Sequence, residues 1–259
     1  MVRDGPAAAV PPTAVRRERG PRAPILSIEG LVKRFGGLLV LDDVSLDVAP
    51  AQIHGVIGPN GAGKTTLFNV INGIYTASSG RITFRDRDIT NAKVSKIAGL
   101  GLGRTFQVAR VFNEMSLLDN MLVPTIPRGL PRREALARAL ELLELAGLAD
   151  LRHQVAIEVS GGQKKLLEFM RTMMFDPDLI LLDEPFGGIN PALVERLSEI
   201  VLQLSRERGK TFLLISHEMP SVMRLCEVVT VLAAGKPIAR GRPAEVRHDP
   251  AVIEAYLGH

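Results

Sequence analysis

Residues 58–66 read Gly58, Pro59, Asn60, Gly61, Ala62, Gly63, Lys64, Thr65 and Thr66, directly after the apolar run Ile53 to Ile57. A strand that runs into a glycine-rich turn and then a helix is suited to gripping a polyphosphate. Gly58 and Gly63 let the backbone curl so that its N–H groups point inward, where a side chain would crowd them. Lys64 offers a point charge to the outer phosphates, and Thr65 offers a hydroxyl to Mg²⁺. The helix opening at Gly63 turns the positive end of its dipole toward the same place. The loop marks a nucleotide binder without separating kinases, GTPases, helicases and transport ATPases.

Further along, the apolar run Leu179 to Leu182 ends in Asp183 and Glu184. An acidic residue after a buried strand often does no more than cap a helix. Downstream of a phosphate loop the pair also has a chemical division of labour. Asp183 would hold Mg²⁺ and Glu184 would orient and polarise the water that attacks the γ-phosphorus. Leu213 to Ser216 leads in the same way to His217, either a local hydrogen-bonding residue or a group beside the γ-phosphate. Gln107, expected to end an earlier strand in Arg104-Thr-Phe-Gln107, reads either as a polar residue starting a loop or as a side chain reaching metal and water. Ser160, Gly161, Gly162 and Gln163 precede an expected helix over 164–175. Such a stretch is a flexible linker or, with Ser160 as N-cap, an anion site.

These residues require elements to hold them. Short strands are expected at 25–31, 44–48, 53–57 and 81–84, a buried helix from Leu67 to about Gly73, and helical character from Asn113 to about Phe175. One helix is expected between Pro131 and Gly147, with Ala135, Leu136, Ala139, Leu140, Leu143 and Ala146 on its apolar face. From Asp178 onward strand and helix alternate, with strands at 179–182, 211–215 and 228–232 and a helix at 191–208, which predicts a mainly parallel sheet with ligands at its carboxyl ends.

Composition narrows the class. The chain has 259 residues, 46% of them hydrophobic, enough for one large core. Of its net charge of +4, most lies in the first 24 residues, where Arg3, Arg16, Arg17, Arg19 and Arg22 face only Asp4 and Glu18. The near-neutral remainder, with 4% aromatic residues, argues against nucleic acid as a partner. The proline-rich tail is expected to be disordered and lacks the apolar run of a secretory signal. The single cysteine, Cys226, excludes an intrachain disulfide and is expected to be a buried, inert thiol. No apolar run is long enough to cross a bilayer, so any membrane role is expected to be peripheral.

Taken in order, these elements resemble the ATP-binding-cassette ATPases over residues 25–259. Residues 58–66 match the family's Walker A, Leu179 to Glu184 its Walker B, Ser160 to Gln163 its signature, Gln107 its Q-loop and His217 its switch histidine. The resemblance implies an α/β P-loop NTPase fold: a RecA-like core, an antiparallel β subdomain and a helical subdomain at about 108–175. It implies ATP hydrolysis with Mg²⁺ held by Thr65, Gln107 and Asp183, and with Glu184, His217 and Gln107 catalytic. Phe35, otherwise read as a core residue, would stack on adenine. Two copies, or this chain and a second ATPase, would associate head to tail so that Ser160, Gly161, Gly162 and Gln163 of one bind ATP held by the other.

A narrower resemblance, carried by Arg104 to Gln107, Arg110-Val-Phe112, Gly161 to Leu167 and Ala255-Tyr-Leu-Gly258, is to the branched-chain amino-acid importer ATPases of bacteria. It implies permease subunits at the inner-membrane face and, indirectly, a substrate-binding protein. Urea or amide importers, lipid or lipopolysaccharide exporters and, more remotely, non-transport cassette proteins share the same motifs. Asn190 departs from the family's usual aspartate and Val159 from its usual leucine.

Overall fold

A computed structural model describes residues 23–257. The extension expected over 1–24 therefore lies, but for its last two residues, outside the described residues. Strands β1 (Leu26–Phe35) and β2 (Leu38–Val48) form a hairpin, and β3 (Ile53–Ile57) runs through the phosphate loop into α1 (Lys64–Ile71). Strands β4 (Ser79–Phe84) and β5 (Arg87–Asp88) return to β1, giving an antiparallel sheet of order β2-β1-β4-β5. In β2 the stretch Val44 to Val48 alternates buried and exposed, as a strand with one wet face must.

After α2 (Val94–Gly99) and β6 (Leu102–Arg104) comes a helical region of α3 (Leu117–Leu122), α4 (Arg132–Ala146) and α5 (Gly161–Met173). Then follow β7 (Leu179–Asp183), α6 (Pro191–Arg208), β8 (Thr211–Ile215), α7 (Met219–Leu225) and β9 (Val228–Ala233). The chain closes with β10 (Lys236–Gly241), α8 (Pro243–Val246) and α9 (Pro250–Leu257). The second sheet has the order β10-β9-β3-β8-β7-β6 and is parallel except where β10 pairs with β9.

Every residue of β3, β7 and β8 is buried, because the sheet is covered on both faces. Successive side chains point to opposite sides. Ile180, Leu182, Phe212 and Leu214 join the core beneath α5 and α6, while Leu179, Leu181, Leu213 and Ile215 join the core that α1 shares with the antiparallel sheet. Each such side chain contributes about 1.5–3 kcal/mol by leaving water.

Two expectations shift. On α4 the buried stripe is Ala135, Ala139, Leu142, Leu143 and Ala146, whereas Leu136 and Leu140 are exposed. The helix packs against α3, α5 and α6, and those neighbours select which face is covered. Strand β6 ends at Arg104, so Gln107 lies three residues into the following loop.

His54, the second residue of β3, is completely buried; its Nε2 lies 2.8 Å from Thr230 Oγ1 and its Nδ1 has no hydrogen-bond partner among the described residues. Burial, with Arg240 adding to it, lowers its pKa from 6.5 to about 3. The unfolded chain accepts this proton near pH 6.5 and the folded one does not, so His54 contributes full stability above that value and progressively loses it below. The expected slope is about 0.7 kcal/mol per unit at pH 6.5 and approaches its limit of about 1.4 near pH 5. Denaturant titrations across this window should show that slope flattened in His54→Gln; an unchanged slope would assign the acid sensitivity to other groups.

Candidate active site

The phosphate loop is held open by its glycines for reasons that the fold supplies. Gly58 has φ of 148°, and a Cβ there would lie 2.0 Å from the carbonyl oxygen of Leu232 in β9. Gly63 has φ of 95°, and its Cβ would meet Leu41 Cδ2 and Val40 O at 2.8 Å. The expected crowding of phosphates by side chains is thus joined by crowding against the neighbouring strands. Lys64 folds back into the loop, where Nζ donates to Gly58 O at 2.8 Å and Pro59 O at 2.9 Å. Burial lowers its pKa, and the nearby carboxylates of Glu184 and Asp183 oppose that shift. Thr65, one residue into α1, is exposed.

The end of β7 brings two carboxylates to the same rim. Asp183 Oδ2 receives a hydrogen bond from Arg104 Nη2 at 2.9 Å, and Arg104 Nη1 donates to Asn69 Oδ1 of α1 at 2.7 Å. The Arg104 and Asp183 side chains are only 4% and 3% exposed. Burial pushes the Asp183 carboxyl up, and the hydrogen bond and charge of Arg104 pull it back. Asp183 Oδ1 remains buried with no hydrogen-bond partner among the described residues.

That free oxygen and the hydroxyl of Thr65, next to Lys64 at the start of α1, are both hard oxygen donors. The donors suit a hard divalent cation that completes its shell with water and substrate oxygens.

Glu184 follows with φ of +48°, an unusual conformation for a residue with a side chain. Its N–H donates to Ile215 O at 2.9 Å, and Lys165 from α5 donates to Glu184 O at 3.1 Å and Gly187 O at 2.6 Å. Held in this way, the Glu184 carboxylate lies 2.8 Å from His217 Nδ1 and also accepts the His217 N–H at 3.3 Å. Gln107, in contrast, is exposed, and its side chain hydrogen-bonds to none of the described residues. The structure joins Glu184 to His217, while among the described residues Gln107 makes no hydrogen bond to either carboxylate.

The expected N-cap is present. Ser160 Oγ accepts the Gln163 N–H at 3.3 Å and Gln163 Oε1 accepts the Ser160 N–H at 2.8 Å, a reciprocal capping box. The Gln163 side chain is therefore engaged by its own helix. Ser160 and Gly161 face outward, whereas a Cβ on Gly162 would come within 2.2 Å of Leu193 Cδ1 in α6, so that glycine serves close helix packing. Asn190 caps the start of α6, its Oδ1 accepting the Leu193 N–H at 2.9 Å.

Phe35 is not a core residue. It is 40% exposed and packs edge-on against Tyr75 with centroids 5.1 Å apart, and Lys33 Nζ sits 4.6 Å from its centroid. Cys226 is buried as expected, its thiol pushed up to about 12 chiefly by burial. Sequence reasoning missed Arg104, Asn69, Lys165 and Tyr75 as parts of this rim. Only Arg104 carried a signal, as a charge at the end of a short apolar strand.

The family model described as ABC transporter matches residues 41–187, and that described as Branched-chain amino acid ATP-binding cassette transporter matches residues 236–259. The high-affinity branched-chain amino acid transport ATP-binding protein LivG of Salmonella typhimurium is 39% identical over 252 residues, covering 91% of this chain and 98% of its own length. A probable LivG of Methanocaldococcus jannaschii is 38% identical over 251 residues, covering 90% and 97%. Among solved structures, the ADP conformation of MJ1267, an ATP-binding cassette of an ABC transporter, superposes with a TM-score of 0.83. It shares 36% identity and covers 92% of this chain and all of its own. The cbiO1 protein of Clostridium perfringens gives a TM-score of 0.81 at 28% identity, covering 90% and 94%. With chain-long similarity added to the motif order and the loop geometry, this protein belongs to the ABC transporter family as an ATP-binding, ATP-hydrolysing cassette.

Proposed function

We propose that this cassette works as one of a pair at the cytoplasmic face of the inner membrane, where ATP hydrolysis energises uptake of branched-chain or related amino acids. The pairing of Glu184 with His217 at 2.8 Å, beside the loop that buries Lys64, is the observation that supports the chemistry. The cargo rests on the likeness to LivG and on the C-terminal family match. No helix of the described residues is long and apolar enough to cross a membrane, which suits a subunit that docks on permeases supplied by other chains.

In this reading Lys64 exchanges its two carbonyl partners for the outer phosphates, and the N–H groups of residues 58–66 line the loop around them. Thr65 and the free oxygen of Asp183 would hold Mg²⁺, which would supply positive charge against the phosphates. Glu184 orients and polarises the attacking water, and His217 steadies that carboxylate and meets the γ-phosphate. Gln107, on the exposed segment after β6, would approach the metal and the attacking water from another side. Phe35, with Tyr75 behind it, offers a ring face to adenine. Ser160, Gly161 and Gly162 present the capped tip of α5 to the ATP held by the other cassette, with Gln163 shaping that tip through its bond to Ser160.

Arg104 has a separate part. By holding Asp183 Oδ2, it keeps a buried carboxylate compensated and leaves Oδ1 for the cation.

Two outcomes are expected. Glu184→Gln should bind ATP as the parent does, lose turnover by roughly a hundredfold or more, and accumulate as a nucleotide-bound dimer on size-exclusion chromatography. Parent-like steady-state turnover in that variant would remove Glu184 from the chemistry. Arg104→Met should lower unfolding stability by about 3 kcal/mol in denaturant titrations, because Asp183 would be left buried without its partner. A loss within experimental scatter would show that the pair is dispensable.

A further inference from the structure

The buried face of α5 is apolar except at Thr172, whose hydroxyl bonds to the Glu168 carbonyl, and at Glu168 itself, which stands among Leu166, Leu167, Phe169 and Met170 and is only 3% exposed. A carboxylate in such surroundings is costly unless its oxygens are engaged. Both are. Oε2 accepts the N–H of Phe106 at 3.3 Å, and Oε1 accepts the N–H of Arg110 at 3.0 Å. Burial pushes its carboxyl up, and these two amides, with Arg171 and Arg110 nearby, pull in the other direction.

The two amides bracket Gln107, and the rest of the segment is tied down around them. Arg171, three residues further along α5, donates to the Arg110 carbonyl. At the other end the Arg104 side chain is fixed to Asp183 and Asn69. The Phe106 ring lies between the guanidinium groups of Arg104, at 5.1 Å, and Arg110, at 4.2 Å. The loop leaving β6 is thus anchored at the Asp183 rim by Arg104, the last residue of β6, and to α5 by one carboxylate that spans residues 106–110. Gln107 sits on the exposed crest between the pins.

We propose that Glu168 is a positioning residue for Gln107: its carboxylate clips the Gln107 segment to α5, so that Gln107 and the Ser160 tip of the same helix move as one body. This rests on the proposed roles of Gln107 and Ser160. It assigns to α5 a second duty, in which displacement of the helix tip by a partner's ATP is transmitted to a residue on the chain's own catalytic rim. Alanine at 168 removes both acceptors. Glutamine keeps one acceptor oxygen and places an NH₂ group against the other amide, where two donors meet.

The test compares Glu168→Ala, Glu168→Gln and the parent by amide hydrogen exchange and by steady-state ATP turnover, with Glu184→Gln as control. In Glu168→Ala, exchange across residues 106–110 is expected to rise roughly ten- to hundredfold while that of α5 itself changes little. Turnover is expected to fall about tenfold in kcat with KM for ATP within about twofold, since ATP is gripped elsewhere. Glu168→Gln should fall between the two on both measures, and it decides the question alone if the alanine variant does not fold. Parent-like protection of residues 106–110, or parent-like kcat in folded variants, overturns the clip. An inactive Glu184→Gln beside a fully active Glu168→Ala would overturn the clip alone; an active Glu184→Gln would overturn the proposed site.

Discussion

A parallel sheet covered on both faces has no place for a charge along its strands. In β3, β7 and β8 every residue is buried, so polar chemistry emerges only where those strands stop. Lys64, Asp183, Glu184 and His217 all lie within a few residues of such an end. The rim of the sheet is the site because the interior excludes it.

The same burial makes each charge at the rim depend on a resident partner. Lys64 rests on two loop carbonyls, Asp183 on Arg104, and Glu184 on His217. Unpaired charges here would cost several kcal/mol. The resting geometry therefore keeps each of these charges paired, with only the second oxygen of Asp183 left over among the atoms named here. In the proposed cycle, substrate acts by exchanging partners within a rigid frame rather than by organising loose groups.

The frame also joins distant parts of the chain. Helix α5 reaches Glu184 and Gly187 through Lys165 and residues 106–110 through Glu168, and its Gly162 lets it pack against Leu193 of α6. None of these links follows the order of the sequence. They arise because one amphipathic helix has sheet, loop and helix as neighbours at once.

Local rules carried much of this structure. The phosphate loop, the cap at Ser160, the bounds of α6 and β8 and the alternation in β2 follow from residue type and spacing, since each is decided within a few residues. What packing decides was not available locally. The choice of Leu142 over Leu136 and Leu140 for burial depends on which helices surround α4, and the exposure of Phe35 depends on Tyr75, forty residues away. Partners for buried charges belong to the same class. The sequence by itself determined the phosphate loop and the strand ends that carry Asp183 and lead to His217, because loop curvature and strand ends are local properties. Only the tertiary structure decided that Arg104 compensates Asp183, that His217 holds Glu184 and that Glu168 grips the Gln107 segment, because a buried charge is answered by whatever the fold brings within hydrogen-bond reach.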